Sequence, residues 1–230
     1  MRIVVLSDIH SNLTAFQAVI ENLPTYDELY CLGDVVGYGP QPNEVVERLQ
    51  QLRPTAVLMG NHDYAVATGD VEGFSSNAAS TIKWTRRVAS EGSLEYLSAL
   101  KSSARIEREG RTLALFHGSP RDPLMEYVFP ALTERAVRGF VEMAAAKIVL
   151  LGHTHMPMMY RFNRGVLANP GSVGQPRDGD PRASFALLTI TQDEITFDVQ
   201  RVEYDIRSVA EKIIGSGLPS FLAERLYMGV

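Results

Sequence analysis

Short apolar runs alternate with amphipathic stretches over the first sixty residues, and this alternation restricts the fold more than any other feature of the sequence. Apolar runs of strand length lie at residues 3–6, 28–32 and 55–59. Between them, residues 13–23 and 45–52 carry apolar side chains at helical spacing. Strands that alternate with helices form βαβ units with parallel strands. The front of the chain therefore predicts an α/β fold.

The later part of the chain has the pattern of hairpins. Predicted hairpins pair residues 104–109 with 112–116 around Gly110-Arg111, 158–162 with 166–168 around residues 163–165, and 184–190 with 194–202. Further elements are helices within 64–101, at 133–144 with Thr133 as N-cap, and at 206–226 with a break at 215–219, and a buried strand at 147–151. We predict two packed mixed sheets with helices outside, in a single domain over residues 1–230.

Composition excludes several classes of protein. The 230 residues are 45% hydrophobic and 21% charged, which is typical of a globular chain and excludes disorder. A net charge of -5 argues against an extended nucleic-acid surface. No apolar run approaches the ~18 residues of a membrane helix, and the short apolar start is interpreted as a strand. The lone Cys31, interpreted as a small buried hydrophobe, fits a reducing compartment, so we expect a soluble cytoplasmic protein.

All five histidines follow the carboxyl end of a predicted apolar strand, where α/β folds place their ligand sites. The polar groups at these strand ends are Asp8-Ile9-His10, Gly33-Asp34, Gly60-Asn61-His62-Asp63, His117, and Gly152-His153-Thr154-His155. Each group taken alone has an ordinary alternative as a turn, a helix cap or a core histidine. Together those alternatives require five independent coincidences, so we expect a functional site.

The donor atoms in these groups indicate a metal centre. Carboxylates, an amide oxygen and imidazoles form a nitrogen–oxygen set that suits Mn, Fe, Zn, Co or Ni better than Ca or Mg. One aspartate can bridge two metal ions through its two oxygens. Two divalent cations against two carboxylates leave a net charge of +2, which attracts a phosphate ester.

The order and spacing of the five groups resemble the signature of the calcineurin-like metallophosphoesterases. The turn Asn169-Pro170-Gly171-Ser172 adds similarity to the small prokaryotic phosphodiesterases of that superfamily. The resemblance implies a four-layer α/β/β/α sandwich, in agreement with the two packed sheets predicted above. It also implies two divalent ions per chain, with manganese expected and iron, zinc, nickel or cobalt as alternatives.

Site roles follow from the resemblance, position by position. Asp8, His10 and His155 would hold the first metal, Asp34 would bridge, and the second metal would take Asn61, His117 and His153. In-line attack by a metal-bridging hydroxide is the implied mechanism. His62, the one histidine that is not a ligand, would protonate the leaving oxygen as general acid. Either Asp63 or Asp34 would orient it, and the sequence leaves both open.

The sequence says less about the substrate than about the metal ligands. Phosphoprotein phosphatases of this superfamily carry an arginine soon after the Gly-Asp group, and none follows Asp34 here, so we expect a small phosphodiester, such as a nucleotide. Asn61, His62 and Arg177 are the candidate substrate-binding residues. Arg177 and Arg182 have solvated loop charges as their alternative. A wall that accepts a nucleotide base could be formed by Tyr38, Tyr64, Phe129 and residues 156–159. Their alternative is packing in the core. Residues 64–102 and 118–131 are expected to form the walls of the pocket.

Three other functions stay open at this point. A phosphomonoesterase or protein phosphatase would use the same metals and differ in substrate. A non-catalytic scaffold of the same fold would lose the catalytic histidine, which is present here as His62. A structural zinc site is disfavoured because such sites are closed and rich in cysteine. The expected partner is a small phosphate ester, with no membrane contact and with a homo-oligomer as an option.

Overall fold

Two five-stranded mixed sheets form the centre of the computed structural model, which describes residues 1–162 and 165–230. Their strands are β1 (Arg2–Leu6), β2 (Glu28–Cys31), β3 (Ala56–Val57), β4 (Ser103–Arg108), β5 (Arg111–Phe116), β6 (Ile148–Leu150), β7 (Met158–Phe162), β8 (Gly165–Asn169), β9 (Ala183–Ile190) and β10 (Ile195–Val202). The helices are α1 (Leu13–Glu21), α2 (Pro42–Gln51), α3 (Asn61–Thr68), α4 (Ser76–Val88), α5 (Glu91–Ser98), α6 (Glu134–Ala144), α7 (Ile206–Gly215) and α8 (Phe221–Met228). Among these described helices, none combines the length and the apolar character that a bilayer crossing requires.

The first sheet has the order β10-β9-β1-β2-β3, and the second has the order β4-β5-β6-β8-β7. In the first, β1, β2 and β3 are parallel, as predicted, and β9 runs antiparallel to β1. In the second, β5, β6 and β8 are parallel and β4 and β7 are antiparallel edges. The carboxyl ends of the parallel strands of each sheet therefore meet at one edge.

Side chains of β1 alternate between two hydrophobic layers, because successive residues of a strand point to opposite faces. Ile3 and Val5 pack against the second sheet, whereas Val4 and Leu6 pack against the helices. On the outer side of the second sheet, Phe140 of α6 belongs to a third cluster. The layers are thus helix, sheet, sheet and helix, which confirms the predicted α/β/β/α architecture.

Local capping agrees with the sequence in α1 and α6. The Asn12 side chain accepts a hydrogen bond from the backbone N–H of Ala15 at 3.0 Å. Thr133, the predicted N-cap, accepts from the backbone N–H of Ala136 at 3.3 Å. Each bond satisfies an N–H that the first turn of a helix leaves without a partner.

Several predicted boundaries differ from the structure by one to three residues, and three of them bear on the site or its supporting turns. The β4–β5 turn is Glu109-Gly110 rather than Gly110-Arg111, and both residues have positive φ, of 50° and 66°, as a two-residue hairpin turn requires. Strand β3 has two residues instead of five, because Met59 leaves the sheet and donates its N–H to the Lys101 carbonyl. Helix α3 begins at Asn61 instead of Tyr64. The predicted turn at residues 163–165 lies mostly outside the described residues, which omit 163 and 164.

Candidate metal centre

The predicted site residues converge at the carboxyl edge of the two sheets. They come from the segments after β1, β2, β5 and β6 and from the first turn of α3. All are buried: Asp8, His10, Asp34, Asn61, His62, His117, His153 and His155. Five of them have left-handed backbone angles, with φ of 54° at Asp8, 51° at His10, 51° at Asp34, 69° at His153 and 60° at His155. Such conformations cost energy in residues other than glycine and concentrate at functional sites.

Asp8, His10, Asp34 and His155 form the first ligand group. The Nε2 atoms of His10 and His155 are 2.9 Å apart. Asp8 Oδ1 lies 3.3 Å from His155 Nε2, and Asp34 Oδ2 lies 3.5 Å from His10 Nε2. These four donors come from three separate loops and converge on one point.

Asp34, His117 and His153 form the second ligand group. His117 Nε2 lies 3.4 Å from Asp34 Oδ2 and 3.1 Å from His153 Nδ1. The Oδ1 of Asn61 lies 3.1 Å from the same His117 nitrogen. Asp34 Oδ2 is therefore within 3.5 Å of a histidine from each group, which is where a bridging carboxylate must lie.

Backbone carbonyls orient all four histidines of the two groups. The nitrogen that faces away from each group contacts a carbonyl oxygen: His10 that of Val36 at 3.1 Å, His117 that of Leu32 at 2.9 Å, His153 that of Met125 at 3.3 Å and His155 that of Gln175 at 2.5 Å. A carbonyl only accepts, so that nitrogen carries the proton. When the ring is neutral, its other nitrogen presents a lone pair to the group, an arrangement that is typical of metal-bound histidine.

A buried oxygen supports the same interpretation. Asp8 Oδ1 is fully buried and has no hydrogen-bond partner among the described residues. An unpaired buried carboxylate oxygen is costly, because it has lost its hydration without compensation. A divalent cation at the first group would supply that compensation, so the residues present fit a metal.

The charges in the site are arranged for cation binding. Burial alone would raise the pKa of Asp8 and Asp34, yet the neighbouring histidines hold both pKa values well below the usual range. Burial lowers the pKa of His10 and His155, and that of His153 to about 3. Ionised carboxylates and neutral imidazoles are the forms that ligate metals.

His117 differs from the other ligand candidates. Burial opposes its protonation, but the carboxylates of Asp34 and Asp8 and the bond to Leu32 raise its pKa to about 9. In the metal-free protein it therefore holds a proton beside Asp34. A metal ion at the second group must displace that proton, so binding there releases one proton.

His62 lies beside the two groups and belongs to neither. Its ring centroid is 5.0 Å from that of His10, 4.4 Å from that of Tyr38 and 5.2 Å from that of Phe74. Its Nδ1 is buried with no hydrogen-bond partner among residues 1–162 and 165–230. Its backbone N–H donates to Asp34 Oδ1 at 2.9 Å, so the bridging candidate also holds the His62 backbone.

Asp63 is one of the two candidates for orienting His62, and its hydrogen bonds go to backbone groups. Its carboxylate accepts backbone N–H groups from Val35 at 3.2 Å, Val36 at 3.0 Å and Gly60 at 2.9 Å. None of its hydrogen bonds within the described residues goes to the imidazole of His62. Its contacts join the loop after β2 to the start of α3.

The two loop arginines, Arg177 and Arg182, have different surroundings. Arg182 is exposed and pairs with Asp180 at 2.7 Å, as a solvated loop charge would. The guanidinium carbon of Arg177 lies 5.6 Å from the ring centroid of Tyr38, which in turn contacts His62. Of the two, only Arg177 therefore packs at the site.

Aromatic side chains surround the site. Tyr38 contacts His10 and His62, and Phe129 is exposed and stacks on Tyr127. Met158, one of the suggested wall residues, packs in the core cluster under α6.

Sequence reasoning missed Tyr127, whose ring stacks on His153 at 3.7 Å between centroids. It also missed the four orienting carbonyls, which carry no residue signature. For Tyr127 the one available signal was its place in the loop after His117.

The family follows from comparison with known proteins. The profile of the calcineurin-like phosphoesterase superfamily domain matches residues 1–193, so the chain belongs to that superfamily. A crystal structure of a metallophosphoesterase from Sphaerobacter thermophilus superposes with a TM-score of 0.86 at 34% identity, covering 100% of this chain and 99% of that one. The resemblance predicted from the sequence, and the fold it implied, are thus confirmed.

Two further relatives are similar over most of their length. An uncharacterized protein of Methanocaldococcus jannaschii is 34% identical over 246 residues, covering 99% of this chain and 98% of that protein. Phosphodiesterase YfcE of Escherichia coli strain K12 is 27% identical over 199 residues, covering 82% of this chain and 87% of that enzyme.

Proposed function

We propose that this protein hydrolyses a small phosphodiester with two divalent metal ions, manganese expected, bound by the two ligand groups. The observation that carries the proposal is the shared Oδ2 of Asp34, which lies 3.5 Å from His10 Nε2 and 3.4 Å from His117 Nε2. The first ion would be held by Asp8, His10, His155 and Asp34. The second would be held by Asn61, His117, His153 and Asp34. Membership of the phosphoesterase superfamily supports phosphoric ester hydrolysis as the reaction class.

When bound, such an ion pair lowers the pKa of a coordinated water and neutralises the negative charge of the phosphate. The residues of the chain supply positioning and a proton. His62 is proposed as the general acid that donates a proton to the leaving oxygen as the phosphorus–oxygen bond breaks. Asp34 positions His62 through its backbone N–H, at 2.9 Å. Asn61, His62 and Arg177 are proposed to contact the substrate.

Two segments are proposed as the walls of the pocket. Phe74, from residues 64–102, lies beside His62, and Tyr127, from residues 118–131, lies beside His153. These rings would enclose a small ester. We also propose a cytoplasmic location, because Cys31 is a buried thiol in β2 that suits a reducing compartment.

A diester is preferred over a monoester for two reasons. No arginine follows Asp34 in the loop after β2, and a relative of this chain is phosphodiesterase YfcE. Phosphomonoester hydrolysis by the same groups is the alternative outcome of the experiment below.

The test uses metal-stripped protein with manganese added back, assayed on bis(p-nitrophenyl) phosphate and on p-nitrophenyl phosphate. We expect manganese to restore turnover, with the diester preferred. His62→Ala should lower kcat by about 10²–10⁴-fold and retain two manganese ions per chain by elemental analysis, because general acid catalysis contributes that much. A His62→Ala variant with nearly full turnover would contradict the role of His62. Monoester preference would overturn the diester proposal.

A further inference from the structure

The ring of Tyr38 contacts three groups of the site. Its centroid lies 4.4 Å from that of His62 and 4.8 Å from that of His10, distances typical of aromatic pairs. The guanidinium carbon of Arg177 lies 5.6 Å from the same centroid, within the range of a cation–π contact. Tyr38 therefore joins the proposed general acid, the first ligand group and the candidate substrate-binding arginine.

The backbone holds Tyr38 in a conformation that tyrosine rarely adopts. Its φ is +56°, and the N–H of Gly39 donates to the carbonyl of Gly37 at 2.6 Å, which closes a γ-turn around Tyr38. The same N–H donates to the carbonyl of His10 at 3.0 Å. Left-handed backbone at a residue other than glycine costs energy and concentrates at functional sites. The turn ties the placement of the Tyr38 ring to the first ligand group.

The C-terminal helices α7 and α8 pack against this ring. Tyr38 contacts a hydrophobic cluster whose buried members include Val209 of α7 and Leu226 of α8. These two residues also line a small cavity together with His10 and Tyr38. The superfamily profile matches residues 1–193, so both helices lie beyond it. The two helices therefore add a layer to the family domain, and this layer reaches the metal centre.

The end of α8 also contacts the loop that carries Arg177. The N–H of Gly179 donates to the carbonyl of Gly229 at 2.9 Å. A Cβ atom on Gly229 would lie 2.7 Å from the carbonyl carbon of Asp180, so the two segments are in close backbone contact. Helices α7 and α8 thus contact both the turn that carries Tyr38 and the loop that places Arg177 over it.

The imidazole of His62 depends on such ring contacts for its orientation. Its Nδ1 is buried with no hydrogen-bond partner in the part of the chain that the structure describes. The rings of His10, Tyr38 and Phe74 surround it, and that of Tyr38 has the shortest distance between centroids, 4.4 Å. Because a displacement of about 1 Å at a reacting group can cost about 10²-fold in rate, the position of the Tyr38 ring affects any proton transfer by His62.

We propose that Tyr38 is a positioning residue for His62, and that α7 and α8 hold the Tyr38 ring in place. The inference rests on the proposed function and extends it to residues that act through His62. The contacts described above are made by the ring of Tyr38, so phenylalanine can replace tyrosine there.

The test varies the leaving group, because the contribution of a general acid grows as the leaving group becomes poorer. The substrates are thymidine 5′-(p-nitrophenyl phosphate) and thymidine 5′-(phenyl phosphate), with manganese-loaded protein. Tyr38→Leu should lower kcat by about 10²-fold on the phenyl ester and by about tenfold or less on the p-nitrophenyl ester. Tyr38→Phe should recover most of the wild-type kcat on both. In a His62→Ala background, Tyr38→Leu should lower kcat no further, since the two residues act as a unit.

Val209→Ala and Val137→Ala form a matched pair for the role of α7 and α8. Both valines are buried on helices, 2% and 4% exposed, but Val137 lies on α6 in the cluster outside the second sheet. Val209→Ala should lower kcat more on the phenyl ester than on the p-nitrophenyl ester. Val137→Ala should keep the wild-type ratio of the two kcat values. All variants should retain two manganese ions by elemental analysis.

A second readout does not depend on turnover. In the zinc-loaded protein, which is diamagnetic, the imidazole proton resonances of His62 are assigned by their absence in His62→Ala. They should shift in Tyr38→Leu and in Val209→Ala, because the neighbouring aromatic ring is lost or moved, and stay near their wild-type positions in Tyr38→Phe and Val137→Ala.

The outcomes separate this inference from the proposed function. If neither ester is hydrolysed by the wild type, the proposed function fails and the His62 resonances alone decide whether Tyr38 and α7 hold that ring. Equal losses of kcat on the two esters in Tyr38→Leu, a further loss in the His62→Ala background, or unchanged His62 resonances would overturn the proposal.

Discussion

Substitution of Gly37 by alanine is a direct test of how His62 is held. Gly37 has a φ of +96°, and a Cβ atom placed there would lie 2.6 Å from His62 Nδ1 and 3.0 Å from its Cγ. Ordinary contact begins at 3.4 Å, so the imidazole or the Gly37 backbone must move by about 0.8 Å. The substitution therefore presses on the His62 imidazole and leaves every residue of the two ligand groups chemically unchanged.

The expected effects on activity and stability differ in size. A displacement of about 1 Å at a reacting group can cost about 10²-fold in rate, so we expect kcat to fall by that order. A left-handed conformation costs a non-glycine residue about 1–2 kcal/mol, and overpacking adds about 1–3 kcal/mol. At about 2–4 °C per kcal/mol for a chain of this size, Tm should fall by roughly 4–20 °C.

Gly110→Ala is the matched control for backbone strain. Gly110 also has a positive φ, of +66°, but a Cβ there meets nothing within 4 Å, and it lies in the β4–β5 turn at the far end of β5 from His117. This variant should lose about 1–2 kcal/mol of stability and keep its kcat.

The assay combines diester turnover at a temperature below both Tm values, elemental analysis of manganese and thermal unfolding. Gly37→Ala should retain two manganese ions. If its kcat stays within threefold of wild type, the position of His62 does not control the reaction and the reasoning is refuted.

Further expectations concern the metal centre and the core. Asp34→Asn should lose both ions on desalting, because Asp34 belongs to both groups, whereas His153→Ala should retain about one; elemental analysis distinguishes the two, and full retention by Asp34→Asn would contradict a bridging role. Manganese at about 100 times its Kd should stabilise the stripped protein by about 2.7 kcal/mol per site, seen in calorimetry as a rise in Tm of about 5–11 °C, and an unchanged Tm would argue against binding to the folded state. Phe16→Ala, at a fully buried position of α1, should cost about 3–5 kcal/mol in denaturant unfolding, and a loss below 1 kcal/mol would show that the helix layer packs loosely.

The element pattern was predictable because it depends on local chemistry. The spacing of apolar residues identified β1, α1, β2 and α2 to within one to three residues at most ends. This was possible because a buried strand and an amphipathic helix place their apolar residues at different spacings. Thr133 was recognised because a cap is a contact between residues three positions apart. The errors lie where a distant partner decides the boundary, as at β3, where Lys101 pairs with Met59.

The candidate ligands could be selected from the sequence because all five histidines follow the ends of apolar strands, which is a chemically distinctive pattern. Their orientation was not, because it depends on backbone carbonyls such as those of Met125 and Gln175, which any residue provides. The contacts of Asp63 also needed the structure, since its partners Val35 and Val36 are distant in sequence.

By itself the sequence determined the α/β layers, the family and the group of residues that meets at the sheet edge, because burial pattern and side-chain chemistry are properties of the chain. Only the tertiary structure decided which nitrogen of each histidine faces its group, that Asp34 Oδ2 lies within 3.5 Å of a histidine from each group, and that the ring of Tyr127 stacks on His153. These depend on distances of a few ångströms between segments up to 145 residues apart, such as Asp8 and His153. Chain folding sets such distances, and spacing along the sequence does not.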